Sequence, residues 1–224
     1  IALAVAATSA TPPDIDLKPD APQALPAARE GSTVSGEYSP GPDGQTALGL
    51  GTEFGPAIPA APCCGASGTI AFTLSYVDPA PENRLINRHI VTLRLADRGF
   101  LGFYFIQTSR HLEMSYKQLP ESTRVITPDP LEAGKAYRAA VTWDGATVCF
   151  YLDGKLLGEQ KQGFPATFPA YSRLNLGPYR DGWISAEPWR ANDVFIRDLK
   201  VWKEALGPMD IAADAGVQAV TAEA

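Results

Sequence analysis

Histidine is nearly missing from this chain: His89 and His111 are the only two in 224 residues. Cysteine is hardly more frequent, with Cys63, Cys64 and Cys149 and no Cys-x-x-Cys pair. These shortages remove the ligand sets on which zinc sites are built. Adjacent cysteines rarely bond each other, so two alternatives stay open: a bridge from Cys63 or Cys64 to Cys149, or three buried thiols. Basic charge is short as well. Nineteen Lys and Arg against 25 Asp and Glu leave a net charge of −6, which argues against nucleic acid as a partner, because phosphate binding wants a basic stripe. Long apolar runs are missing too. Ile1–Ala10 is small and mostly apolar, but a membrane span needs about 20 such residues.

Several catalytic patterns are absent. No Glu-x-Asp-x-Glu occurs, the arrangement that puts paired carboxylates on one face of a strand for glycan cleavage. No Gly-x-Ser-x-Gly elbow and no phosphate loop occur. The glycines between Gly49 and Gly55 do not match Gly-x-Gly-x-x-Gly, and no helix follows them. In Arg110–Tyr116, alternation puts His111, Glu113 and Ser115 on one strand face and Leu112, Met114 and Tyr116 on the other. His111 and Tyr116 therefore point apart, and the segment reads as a half-exposed strand. The polar run Arg84–His89, with Arg94 and Arg98, reads as the solvated face of another.

What the chain does have is turns and short apolar alternation. Gly and Pro number 20 each, and 45% of residues are hydrophobic. The segment Ala136–Gly154 predicts two strands joined at Asp144-Gly145, with a second turn at Asp153-Gly154. Tyr137, Ala139, Val141 and Trp143 alternate on the first strand; Val148, Phe150 and Leu152 alternate on the second. Further strands are predicted at 46–51, 69–77, 85–95, 100–107, 111–117, 123–127, 155–160, 171–177 and 193–203, with loops at 39–44, 55–68 and 163–170. Only Pro208–Ala213 predicts a helical turn, with Pro at its start and Asp210 near the positive end. The fold class is therefore all-β: a two-sheet antiparallel sandwich with one short C-terminal helical turn, a jelly roll by the family resemblance given below.

Four regions follow. Residues 1–10 read as the end of a signal or membrane-anchor segment. Residues 11–32, with Pro at 12, 13, 19, 22 and 26, predict an extended spacer outside any sheet. Asp14-x-Asp16 lacks the Gly and Glu of a calcium loop. The sandwich occupies 33–215, and 216–224 is a tail. Either reading of the N-terminal run places the rest outside the cytoplasm, periplasmic or secreted.

The run Gly134–Gly145 followed by Val148–Lys155 resembles the laminin G-like or concanavalin A-like jelly rolls, which often read W-x-H-[VL]-A-x-T-[YW]-[DN]-G and then [LV]-x-[LF]-Y-[VL]-D-G. Gly68–Leu74, Leu174–Gly177 and Val194–Leu206 with Met209–Ile211 resemble that group's early strand, later strand and closing strand with its short helix. The likeness covers roughly residues 40–215. Arg138 stands where the group usually has His, and Arg197 replaces an acidic residue. The resemblance implies a fold that hosts lectins, adhesion modules, passive domains of enzymes and some glycan-cleaving enzymes, so fold alone does not give function.

The candidate site is the segment Gly177–Asn192, which concentrates Tyr179, Arg180, Asp181, Trp183, Trp189, Arg190 and Asn192. Aromatic rings beside polar groups suit sugars, and the same composition suits a protein hot spot; capping of the core by the tryptophans is the structural alternative. Asp181, Asn192 and Asp193 offer oxygen for calcium; otherwise no cofactor is expected. The first functional expectation is a non-catalytic, extracytoplasmic interaction module, a membrane-tethered accessory subunit. Its partner would be a protein or membrane complex, reached through the N-terminal segment and spacer. The alternatives are a secreted, lectin-like carbohydrate-binding domain and, more weakly, a glycan-active enzyme.

Overall fold

The computed structural model describes residues 11–17, 38–51, 55–60, 64–78, 87–95, 99–118, 121–161, 168, 172–181, 184–186 and 193–217. In chain order the strands are β1 (Ile15–Leu17), β2 (Tyr38–Pro40), β3 (Thr46–Leu50), β4 (Ala57–Pro59), β5 (Gly68–Tyr76), β6 (Arg88–Arg94), β7 (Phe100–Ile106) and β8 (His111–Gln118). They continue with β9 (Glu121–Ile126), β10 (Tyr137–Trp143), β11 (Thr147–Leu152), β12 (Lys155–Lys161), β13 (Arg173–Leu176), β14 (Tyr179–Asp181), β15 (Ile184–Ala186) and β16 (Val194–Trp202), before the helix α1 (Pro208–Asp214).

Two antiparallel sheets are formed. The larger has the order β12-β11-β10-β5-β16-β3-β2, with β1 added to β16; the smaller is β4-β13-β6-β7-β8-β9. Alternation explains the packing. Val141, Trp143, Val148 and Phe150 turn inward from the larger sheet, and Leu101, Phe103, Phe105, Leu112, Met114 and Tyr116 turn inward from the smaller. Aromatic rings join the layers: Phe72 meets Phe103 edge-on at 4.8 Å, and Tyr76 meets Phe105 at 4.4 Å. Fully burying such a side chain is worth about 1.5–3 kcal/mol, so this cluster is the main source of cohesion.

Both turns of the hairpin region form. At the first, Asp144 Oδ1 accepts from the N–H groups of Ala146 (3.0 Å) and Thr147 (2.8 Å). At the second, Asp153 (φ 48°) and Gly154 (φ 76°) are both left-handed, the backbone of a two-residue turn that matches strand twist. Glycine is needed there for a second reason: a Cβ on Gly154 would lie 3.0 Å from Ala212 of the overlying helix.

The proline-rich stretch does not stay out of the sheets. Ile15–Leu17 pairs antiparallel with Leu199–Val201, and Leu17 enters the core. The physical reason is local: the five residues between Pro13 and Pro19 contain no proline and keep their N–H groups, and β16 offers an edge there because β3 pairs only with Val194–Ile196. The stretch 55–68, expected as loop, contains Ala57–Pro59 paired to β13.

Cys64 sits in the core between the sheets, whereas Cys149 lies on the outer side of β11 against the cluster under α1. No disulfide joins them, since the larger sheet separates them. Residues 1–10, and Cys63, lie outside the described residues. Among the described residues, no helix is long and apolar enough to cross a membrane.

Candidate functional site

The outer faces of the two sheets are used differently. Over the larger sheet, Ile211 of α1 and Leu206 just before the helix pack with Ala71, Ala140, Tyr151 and Trp202. Beside this patch an ion network fixes the helix. Arg138 donates from Nε to Asp214 Oδ2 at 2.7 Å and from Nη1 to the Asp198 carbonyl at 2.7 Å, while Lys200 Nζ lies 2.7 Å from Asp214 Oδ1. A cavity of about 490 Å³ opens here, with Asp16, Asp153, Asp198 and Asp214 facing Arg138 and Lys200. Trp202 also donates from its indole N–H to the Thr11 carbonyl at 2.8 Å, which ties the N-terminal strand to the same region.

Among the described residues, no helix lies on the outer face of the six-stranded sheet. Its register sets side chains in rows. One row runs Arg94, Phe100, Lys117, Ser122 across β6 to β9; the next runs Asn175, Thr92, Gly102, Ser115, Arg124; a third runs His89, Tyr104, Glu113, Ile126. The Tyr104 ring folds back across Gly102, where a Cβ would lie 2.8 Å from its hydroxyl. Phe100 meets the edge of that ring at 6.0 Å and His89 meets it at 4.6 Å. Beside the rings, Ser115 donates to Glu113 Oε1 at 2.7 Å and Arg124 pairs with Glu113 Oε2. A partly exposed Phe100 and an exposed Arg124 thus meet a buried Tyr104 ring, the Ser115 hydroxyl and the Glu113 carboxylate on adjoining strands.

Tyr179, from the sequence-predicted segment, lies against His89 at one end of this face. Tyr179 in β14 is buried, and its ring lies 5.6 Å from His89, edge-on. It packs rather than projecting toward solvent. Arg180 and Asp181 pair through their backbones with Ser185 and Ile184. Trp183, Trp189, Arg190 and Asn192 lie outside the described residues. His89, caught between Tyr104 and Tyr179, is held well below its usual range, at about 4, because burial disfavours its charged form. Burial likewise pushes the Tyr104 phenol upward.

Asp193, considered above as an oxygen ligand, is committed to protein donors: its Oδ2 accepts from Arg88 at 2.8 Å and from Gln107 at 2.6 Å. Burial raises its carboxyl while Arg88 and Gln107 pull it back. A calcium ion there would face the Arg88 guanidinium. Among the described residues no group of three or more His, Cys, Asp or Glu is placed to hold a metal. Arg88 is itself fully buried, which corrects the expectation of a solvated strand face. A bulge between His89 and Val91 inverts the alternation, sending Arg88 inward and His89 outward.

Phe100, Tyr104 and Arg124 were not singled out from the sequence. The available signal was the alternation in Phe100–Ile106: once Leu101, Phe103 and Phe105 take the core, Phe100, Gly102 and Tyr104 must share the other face.

These two packed antiparallel sheets, with α1 over one outer face, define a lectin-like β-sandwich. A family model described as the concanavalin A-like lectin/glucanases superfamily matches residues 67–212, and the chain belongs to that superfamily. Among solved structures, it is similar to domain 4 of the extracellular arabinanase AbnA from Geobacillus stearothermophilus in complex with arabinotriose. The identity is 16%, with 85% of each chain covered and a TM-score of 0.62. It is also similar to the CBM40 of the Ruminococcus gnavus IT-sialidase bound to α2,3 sialyllactose: 12% identity, 75% of this chain and 96% of that chain, TM-score 0.55. A third likeness is to a SAP-like pentraxin from Limulus polyphemus: 15% identity, 86% and 80% coverage, TM-score 0.52. At these identities the likeness is one of fold. Comparison with curated proteins finds no match.

Proposed function

We propose that this protein is a non-catalytic glycan-binding module, with the outer face of the six-stranded sheet as its binding face. The observation that carries the reading is the meeting of Phe100 and Tyr104 with Ser115, Glu113 and Arg124 on that face. Sugars present apolar C–H faces and hydroxyl edges, and such sites combine aromatic walls with a few placed polar groups. The arabinotriose and sialyllactose complexes among the similar structures support this class of ligand. Trp183 and Trp189, which follow the Tyr179 that abuts the face, extend the proposed site.

Catalysis is not part of the reading. Hydrolysis by the usual route uses two carboxyl groups roughly 5–10 Å apart. Among the described residues the sheet face offers Glu113, already engaged by Ser115 and Arg124. A protein or membrane partner reached through the N-terminal spacer has less support, because Ile15–Leu17 is taken up by the chain's own sheet. An extracytoplasmic location, suggested by the apolar run Ile1–Ala10, belongs to the proposal and is tested by fractionating cells that express the full-length protein. Glycan-array screening tests the function: the reading expects a defined set of bound glycans, and it fails if no glycan binds the folded protein.

A further inference from the structure

We infer that His89 positions the β14–β15 ribbon against the sheet face, and that acid releases the bound glycan by undoing this contact; the inference rests on the glycan-binding reading above. It begins from how the ribbon is held. Among the described residues, Tyr179–Asp181 and Ile184–Ala186 pair with each other and with neither large sheet. A two-stranded ribbon is marginally stable by itself, so its place depends on the side chains that dock it. The chain leaves β13 at Gly177, whose φ of 78° turns it out of the sheet, while the Gly177 N–H donates to the Ile90 carbonyl at 2.7 Å. Two residues on, Tyr179 is buried and its ring meets His89 at 5.6 Å. His89 in turn meets Tyr104 at 4.6 Å. Rings from β14, β6 and β7 thus form one chain of contacts, with the histidine in the middle.

The middle ring suits this place only while neutral. Its Nδ1 is buried with no hydrogen-bond partner among the described residues. A neutral imidazole with its hydrogen on Nε2 leaves an unpaired acceptor there, whereas the imidazolium would bury an unpaired donor together with a charge, the costlier orphan. The groups that face it offer little compensation. Tyr104 and Tyr179 are phenols, and Glu113, beyond Tyr104 in the same row, is engaged by Ser115 and Arg124. On β6 itself, the neighbouring Arg88 points inward to Asp193. Burial accordingly holds His89 at about 4 against an ordinary 6.5. Near neutral pH the ring therefore stays docked. As pH falls from 6.5 towards 4, the proton that an undocked imidazole takes up favours the undocked ring. Trp183 stands between β14 and β15 in the sequence, so the ribbon belongs to the proposed site and its undocking takes that site apart.

Two readouts on the full chain test this. Hydrogen exchange at neutral pH, without ligand, reads the docking. His89→Ala and Tyr179→Ala should each speed exchange of the β14–β15 amides by at least about 10-fold, leaving the β10–β11 amides as in wild type. His89→Phe, which keeps a ring in the middle, should restore the protection. Titration with the best-bound array glycan at neutral pH and at pH about 5 reads the release. Wild-type affinity should fall by roughly 10-fold on acidification with circular dichroism unchanged, while His89→Phe loses little and His89→Ala binds weakly at both. Unchanged exchange in both alanine variants overturns the positioning role and leaves the glycan reading standing. An equal acid loss in wild type and His89→Phe overturns the release and assigns it to the ligand or to another group. If no glycan on an array binds, the function proposed above and the acid release fall together.

Discussion

Tyr104 lies across Gly102 two residues earlier on the same strand, its hydroxyl 2.8 Å from where a Cβ on that glycine would sit. The ring thus lies along the sheet face, where Phe100 and His89 meet its edges. Gly102→Val tests whether this placement matters. The new side chain would lift a ring on the outside of the sheet, so the fold should persist with unchanged circular dichroism. Glycan affinity should fall by about 10-fold. Unchanged affinity would show that the ring's position plays no part.

His89 makes stability depend on pH. Its ring is enclosed by Tyr104 and Tyr179, and its folded-state value is near 4 against an ordinary 6.5. The unfolded chain therefore takes up a proton below about 6.5 while the folded chain resists until about 4. Stability should be full above that window and decline as pH falls through it, by at most about 3 kcal/mol from this residue. Urea unfolding of wild type and His89→Asn at neutral pH and at pH about 4.5 measures the effect. The variant should show a smaller loss on acidification, and an identical loss in both proteins would contradict the assignment.

Asp214 is where the helix meets the sheet. It receives Arg138 and Lys200 together, and both Asp214 and Arg138 are largely buried. Asp214→Ala leaves Arg138 without its carboxylate, a change that costs about 3 kcal/mol for a buried pair. Thermal unfolding should show a clear drop in midpoint. Loosening of α1 should also uncover Trp202, seen as a red-shifted fluorescence maximum. An unaltered midpoint would mean that the helix is held by Leu206 and Ile211 alone.

Trp183→Ala and Trp189→Ala examine the aromatic segment read from the sequence. If it extends the binding face, each should reduce glycan affinity by roughly 10-fold without lowering the melting temperature by more than a few degrees. A large drop in melting temperature with little change in affinity would instead assign the tryptophans to the core.

The β10–β11 hairpin was legible because its alternation is long and its turns carry Asp-Gly. Val141, Trp143 and Phe150 are fully buried, as their spacing required. The short strands escaped notice for the opposite reason. Ile15–Leu17, Ala57–Pro59 and Ile184–Ala186 are three residues each, too few for a period to show, and they exist because a neighbouring edge accepts them. Arg88 was misread because a bulge reverses its face, and sequence alternation carries no sign of a bulge. The proposed binding face was hidden more deeply. Phe100, Lys117 and Arg124 are separated along the chain and become neighbours only through register, while the segment around Tyr179, chosen for composition, turned out to supply packing at its first residue.

The central claim is most directly tested by titrating the best-bound glycan from an array into wild-type protein and Phe100→Ala, with melting temperatures measured in parallel. Phe100 is partly exposed at the start of β7, so its removal should spare the fold. The account predicts at least about a 10-fold loss of affinity at an unchanged melting temperature. Equal binding by both proteins would contradict it and move the ligand away from the six-stranded sheet.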